Sequence, residues 1–295
     1  MSLILVRKLL RDLRWGLLIM GVLLFAFNLM WCKSTQQGLE LFKTLSERGI
    51  NVRFLAEIFF NSEGGKVVAK MVGGERITIG QGIDSLSVGY VHPLLITMLS
   101  VWAVGRAAGT IAGELDKGTM ELLLAQPLAR WRVIGSHFVI DCVTIPILCA
   151  CLWAGTALGC LVFGLYELTI RDMKQIDMGL FVPALVNIAA FLFAISGYTM
   201  TLSAAGRFRP RVLGIAVVLT LVQFFVNLLG QTWSAIESLR PWTVFYYYQP
   251  QGLILEIAGA SDENWTNVLT LLAVGTIGYV AALVIFIRRD LPAPL

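Results

Sequence analysis

The sequence predicts an all-α integral membrane protein: six transmembrane helices, an N-terminal interfacial amphipathic helix and a short cytoplasmic helix between the second and third spans. Three observations carry this. Of 295 residues, 57% are apolar and 14% charged, against about 45–50% and about 25% in soluble domains. The mean hydropathy is +0.76. The apolar residues also gather into six stretches of roughly 20, enough to cross about 30 Å of hydrocarbon with the backbone bonded internally. The same composition excludes a soluble globular fold and disorder, and five Cys are too sparse for a disulfide scaffold.

Taken in order, residues 1–15 put Leu3, Val6, Leu10 and Leu13 on one helical face and Arg7, Lys8, Arg11 and Arg14 on the charged side. That pattern suits a helix lying in the headgroup layer, and equally a plain basic flank of the first span. The first span is Gly16 to Cys32. At about 17 residues it exceeds an ordinary signal-peptide core and has no small-x-small cleavage site, so a retained anchor is expected. Residues 33–87 form a long outer loop, partly amphipathic from Leu39 to Phe60 and then Gly-rich, readable as a small helical cap or as a mobile loop.

The remaining spans are Val88–Gly105, Phe138–Phe163, Gly179–Ala204, Val212–Gly230 and Val268–Ile287, with His92, Pro93 and Asp141 interrupting the second and third. Orientation comes from charge. The segments 1–15, 106–137, 205–211 and 288–295 together hold thirteen Lys/Arg against five Asp/Glu, whereas those on the other side hold ten against thirteen. By the positive-inside rule both termini are expected in the cytoplasm. Trp15 and Trp131 then fall at the inner interface and Trp31, Trp233, Trp242 and Trp265 at the outer.

The inner segment 113–132 carries the densest pattern. Thr119 suits an N-cap, Glu121 sits in the first turn where the helix dipole favours an acid, and Pro127 stops the helix after about two turns. Leu122 and Leu123 make it apolar, and Glu114, Asp116, Lys117, Arg130 and Arg132 flank it. Such a helix suits docking into a partner's groove, or it merely turns the chain.

Catalytic patterns are missing. No G-x-x-x-x-G-K-[ST] occurs, so no phosphate-cradling loop of that type is expected. Two His, His92 and His137, stand without H-E-x-x-H or ligand-spaced Cys, and Ser136 lacks a nucleophile elbow. Cys142, Cys149, Cys151 and Cys160 read as small packing residues. Asp141, the one acid within a span, pairs with Arg106, snorkels to the cytoplasm, or serves substrate or protons. Asn28, Asn187, Gln223 and Asn227 are polar groups able to bond between helices or to contact substrate. Gly105, Gly109 and Gly113 form one ladder of small residues, Gly155 and Gly159 another, each permitting close helix approach.

The run Ile111-Ala-Gly-Glu114, Gly118-Thr-x-Glu121-Leu-Leu, Gln126-Pro127 and Arg130 resembles the cytoplasmic signature of permease subunits of ATP-binding-cassette (ABC) transporters of the type-two exporter family. The branch it is most similar to includes the permease of the nitrous-oxide-reductase maturation system. Tyr246-Tyr-Tyr-Gln-Pro250 and the ending Phe286-Ile-Arg-Arg-Asp-Leu-Pro292 are weaker matches. The resemblance covers nearly the whole chain and implies one permease domain, 1–295, exporting from a bacterial or archaeal cytoplasmic membrane. It implies a coupling element of Glu114, Gly118, Thr119, Glu121, Leu122, Gln126, Pro127 and Arg130, moved by a separate ABC ATPase that carries ATP and Mg. This chain would bind no cofactor or metal and perform no catalysis. Its partners would be that ATPase, a second permease chain (a homodimer), the bilayer and, at 33–87, an extracytoplasmic protein, with no nucleic acid. The competing reading is a membrane scaffold that holds a soluble partner without transport.

Overall fold

The computed structural model describes residues 3–51, 54, 58, 62, 64–65, 82–120, 129–168, 173–255 and 261–289. Helix α1 runs without a break from Leu3 to Glu47, about 67 Å at 1.5 Å per residue, so it contains both the basic N-terminal stretch and the first span. It also extends well into the expected outer loop. Past Cys32 a ladder of side chains supports it: Lys33 donates to Gln36 Oε1 (2.9 Å), and Gln36 to Glu40 Oε1 (2.9 Å). Gly49, at φ +79°, ends it. Its N–H bonds Ser46 O while Ile50 N–H bonds Leu45 O, the Schellman closure that a left-handed glycine permits.

The second span is two helices, α2 (Gly82–Val91) and α3 (Pro93–Ala108). Pro93 lacks an N–H and forces His92 into extended backbone (ψ 133°), and His92 Nδ1 caps the restart by accepting from Leu94 N–H at 3.2 Å. Trp31 of α1 lies over Gly89, where a Cβ would stand 2.6 Å from its ring, and donates to Ser85 O at 2.9 Å. A short helix α4 (Ile111–Asp116) follows, then α5 (Arg130–Phe163), which ends at Gly164. The strands β1 (Tyr166–Leu168) and β2 (Met173–Gln175) pair antiparallel with Glu167 opposite Lys174, a hairpin not foreseen from the sequence. A 3-10 turn (Met178–Phe181) opens directly into α6 (Val182–Ala205). After α7 (Arg209–Gly230) come a single turn α8 (Ser234–Glu237), a 3-10 turn, α9 (Pro250–Ile254) and the last span, α10 (Ser261–Arg288).

Among the described residues, six helical spans are thus long and apolar enough to cross a membrane. They make this an all-α integral membrane protein. Two close crossings set the packing. At α1–α5, Gly155 lies against the backbone of Phe25 and Gly159 against Cys32, while Asn28 Nδ2 donates to Leu152 O at 3.0 Å. The Gly155–Gly159 ladder therefore serves a contact within the chain. At α6–α10, Gly197, Gly275 and Gly278 bring the two backbones together, and Thr201 donates to Gly278 O at 2.7 Å.

The segment 243–255 folds back into the bundle. Val244, Phe245, Tyr248, Leu253 and Ile254 are buried in the main core, where Phe191 and Tyr248 pack at a 44° tilt with centroids 4.5 Å apart. Asn187 accepts from Gln249 N–H (3.1 Å) and donates to Tyr247 O (3.0 Å), so one side chain satisfies the peptide groups on both sides of Tyr248. Gln223 accepts from Val244 N–H at 3.1 Å, and Asn227 from Arg240 Nε at 3.3 Å.

Candidate functional site

The connection from the second span to the third lies at the same end of the bundle as residues 205–211 and 288–289. After Ala108 the chain turns at Gly109 and Thr110, and Thr110 makes no side-chain cap to α4. The cap comes from another span. Ser203, in the last turn of α6 and fully buried, accepts from Ile111 N–H and Ala112 N–H at 3.1 Å each and donates to Ala108 O at 3.2 Å. Thr110 Oγ1 donates to Ala107 O (2.7 Å) and lies 3.1 Å from Ser203 Oγ. A six-residue helix is too short to persist alone, so its place depends on these contacts.

Gly118 closes α4. Its φ of +69° is open to glycine at little cost, and its N–H bonds Leu115 O at 3.1 Å. Thr119 then turns back, its hydroxyl bonding the Glu114 carboxylate, with Glu114 O at 3.2 Å. Glu114 is half-buried, whereas Asp116, Lys117 and Gly118 are exposed at the tip. Met120 is buried with Ile111, Val133, Ile134, Met200 and Phe286, so the segment re-enters a small apolar core. Glu121, Leu122, Gln126 and Pro127 lie outside the described residues, and with them the helix that Thr119 was expected to cap. The described helix, 111–116, is one that sequence patterning treated as a flank.

Arginines tie the span ends together here. Arg130 Nη1, at the start of α5, donates to the carbonyls of Phe286, Ile287 and Arg289, at 3.3, 3.1 and 2.6 Å. These are the unpaired carbonyls that a helix C-terminus leaves, and a cation is favoured there. Arg289 Nη1 in turn donates to Ala204 O and Gly206 O at 2.8 Å each, closing the end of α6. The Arg209 side chain lies over Gly109 and Gly113, where added Cβ atoms would stand 3.4 and 3.5 Å from it. That pair of glycines therefore receives an arginine rather than a neighbouring helix, while Gly105 has nothing within 4 Å.

Deeper in the bundle, Asp141 is 1% exposed and bonds both Arg106 of α3 and the Tyr279 hydroxyl of α10. Arg106 also reaches Tyr279 at 3.2 Å. Ser196 of α6 faces the same carboxylate and His137 faces the guanidinium. The network spans α3, α5, α6 and α10. Of the readings the sequence left open for Asp141, the geometry realises the pairing with Arg106. Tyr279 and Ser203 did not stand out in the sequence, because their partners are distant along the chain, and Arg289 stood there only as part of the closing Phe286–Pro292 run and a terminal basic pair.

Of the other expected residues, Arg7, Lys8, Arg11 and Arg14 are exposed on the first turns of α1, and Arg14 stands 5.5 Å over the Trp15 ring. Asn28, Asn187 and Asn227 are each committed to a hydrogen bond with another segment, as given above. Among the described residues no cluster of three His, Cys, Asp or Glu could hold a metal.

No curated protein sequence matches the chain. The family profile of the ABC-2 family transporter proteins matches residues 6–291, nearly the whole chain. With six helices able to span a membrane and a short helix rooted between the second and third, this chain belongs to the ABC-2 family of transporter proteins.

Proposed function

We propose that the chain is the permease subunit of an ABC exporter, coupling ATP hydrolysis on a separate ATPase subunit to movement of its spans. The observation that carries the reading is the exposed tip 116–118. It stands at one end of the bundle on a helix whose root is bonded to the fourth span and packed against the sixth. A push on that tip reaches the membrane helices directly. Glu114, Gly118, Thr119, Glu121, Leu122, Gln126, Pro127 and Arg130 form the element that meets the ATPase, with ATP and Mg held by that partner. The charge asymmetry supports a cytoplasmic position for this end and both termini, and the resemblance supports a bacterial or archaeal cytoplasmic membrane for the spans.

Two such chains pair, and α7 supports this as a contact face, burying only Val212, Ala216, Thr220 and Gly230 in its own chain. Arg7, Lys8, Arg11 and Arg14 contact anionic headgroups. Because α1 is unbroken from Leu3, an in-plane N-terminus requires a bend near Gly16. The 33–87 segment is the place for an outer partner. The signature around Glu114 supports kinship with the nitrous-oxide-reductase maturation branch.

The test is purification of the tagged chain in mild detergent from its native membrane, followed by mass spectrometry. The expected result is an ABC ATPase at about one copy per permease, whose hydrolysis rate changes when the chain carries Glu114→Lys while membrane insertion is retained. A partner without nucleotide motifs, or an ATPase rate indifferent to this chain, would favour the scaffold.

A further inference from the structure

The geometry points to Ser203 as the positioning residue through which motion of α4 reaches the fourth span, an inference that rests on the proposed reading of the segment carrying Glu114, Gly118 and Thr119 as the ATPase-contacting element. Beyond its apolar packing, helix α4 is held at its N-terminal end by a covalent and a hydrogen-bonded attachment. The covalent one is the Gly109–Thr110 turn to α3, whose Thr110 side chain bonds back to Ala107 O and makes no cap to α4. The other is the Ser203 hydroxyl, which holds the first two buried N–H groups of α4 and, on its donor side, the last carbonyl of α3. A buried N–H deprived of its partner is costly, so α4 keeps this contact when it is pushed.

What lies behind Ser203 makes the contact a joint rather than a local cap. Arg289 fixes the α6 terminus at Ala204 O and Gly206 O, and Gly197, Gly275 and Gly278 fuse α6 to α10 backbone to backbone. Force entering at Ser203 therefore moves the fourth and sixth spans as one body.

The test is hydrogen–deuterium exchange of the permease–ATPase complex in lipid nanodiscs, nucleotide-free and with ATP plus vanadate. In the wild type, nucleotide changes the exchange of residues 108–116 and 197–206 together. With Ser203→Ala, nucleotide-free exchange at 108–116 rises, the nucleotide response there persists, and the response at 197–206 falls about threefold or more. Ser203→Thr, which keeps the hydroxyl, restores it. Ser203→Cys keeps the volume with a much poorer acceptor, gives the same loss as Ala, and serves if the Ala variant does not accumulate. Responses that stay coupled in both the Ala and Cys variants overturn the assignment. A wild-type complex whose residues 108–116 ignore nucleotide overturns the coupling-element reading and this inference with it.

Discussion

Replacing Asp141 with Asn should strongly destabilise the protein, because it removes the charge that compensates Arg106 in a place without solvent. Arg106 is 8% exposed and Asp141 1%, and Arg106 Nε and Nη1 have no hydrogen-bond partner among the described residues. The guanidinium therefore depends on one carboxylate oxygen and one phenol. Losing one member of such a buried pair costs about 3–5 kcal/mol, whereas replacing both with apolar groups is neutral or favourable. At about 2–4 °C per kcal/mol, Asp141→Asn should lower the midpoint of thermal unfolding in detergent by on the order of 10 °C. The double variant Arg106→Met/Asp141→Leu should unfold near or above the wild type. The assay is tryptophan fluorescence on heating, with size-exclusion profiles before and after. An unshifted Asp141→Asn variant, or a double variant less stable than either single change, would refute the reasoning.

Asn187→Leu removes both bonds to the segment around Tyr248 and leaves two peptide groups unpaired, at about 1–3 kcal/mol each. Limited proteolysis should then cut within 240–255 faster than in wild type. Gly197→Val drives a side chain into the Gly275 backbone, where overpacking costs typically about 1–3 kcal/mol and more where backbones touch. A loss of monodisperse protein on size exclusion checks it. Gly118→Ala keeps the chain in a left-handed conformation that costs a residue with a Cβ roughly 1–2 kcal/mol, and should raise amide exchange at 113–119 with the spans unaffected. Arg130→Met frees the carbonyls of Phe286, Ile287 and Arg289, and should increase exchange at 284–289 while sparing α1.

Where hydropathy alone decides structure, the sequence was legible. Four of the six expected spans fall each inside one helix, the fourth begins in the 3-10 turn ahead of α6, and the second is divided between α2 and α3 at His92-Pro93, a break the sequence marked because the proline ring acts locally. The continuation of α1 to Glu47 was hidden by its polar composition. Its support is a ladder of Lys33, Gln36 and Glu40 rather than an apolar stripe. Burial of the Tyr246–Pro250 segment was equally hidden, since its partners Asn187, Phe191 and Tyr90 come from other spans. At the candidate site, Glu114, Gly118, Thr119 and Arg130 were legible as a motif. The helix at 111–116 was not, because its cap is Ser203, some 90 residues away. Gly109 and Gly113 carried the signature of a helix contact, yet the neighbour that fills them is a side chain from α7, and small residues signal close approach without naming what approaches.

The most direct test of the coupling account places a photo-crosslinking amino acid at Lys117, on the exposed tip, and illuminates native membranes. An adduct with an ABC ATPase, weakened by Glu114→Lys and lacking when the probe stands instead at Trp242 on the opposite end, is the predicted result. Adducts with lipid alone, or with a protein that has no nucleotide-binding motif, would contradict it.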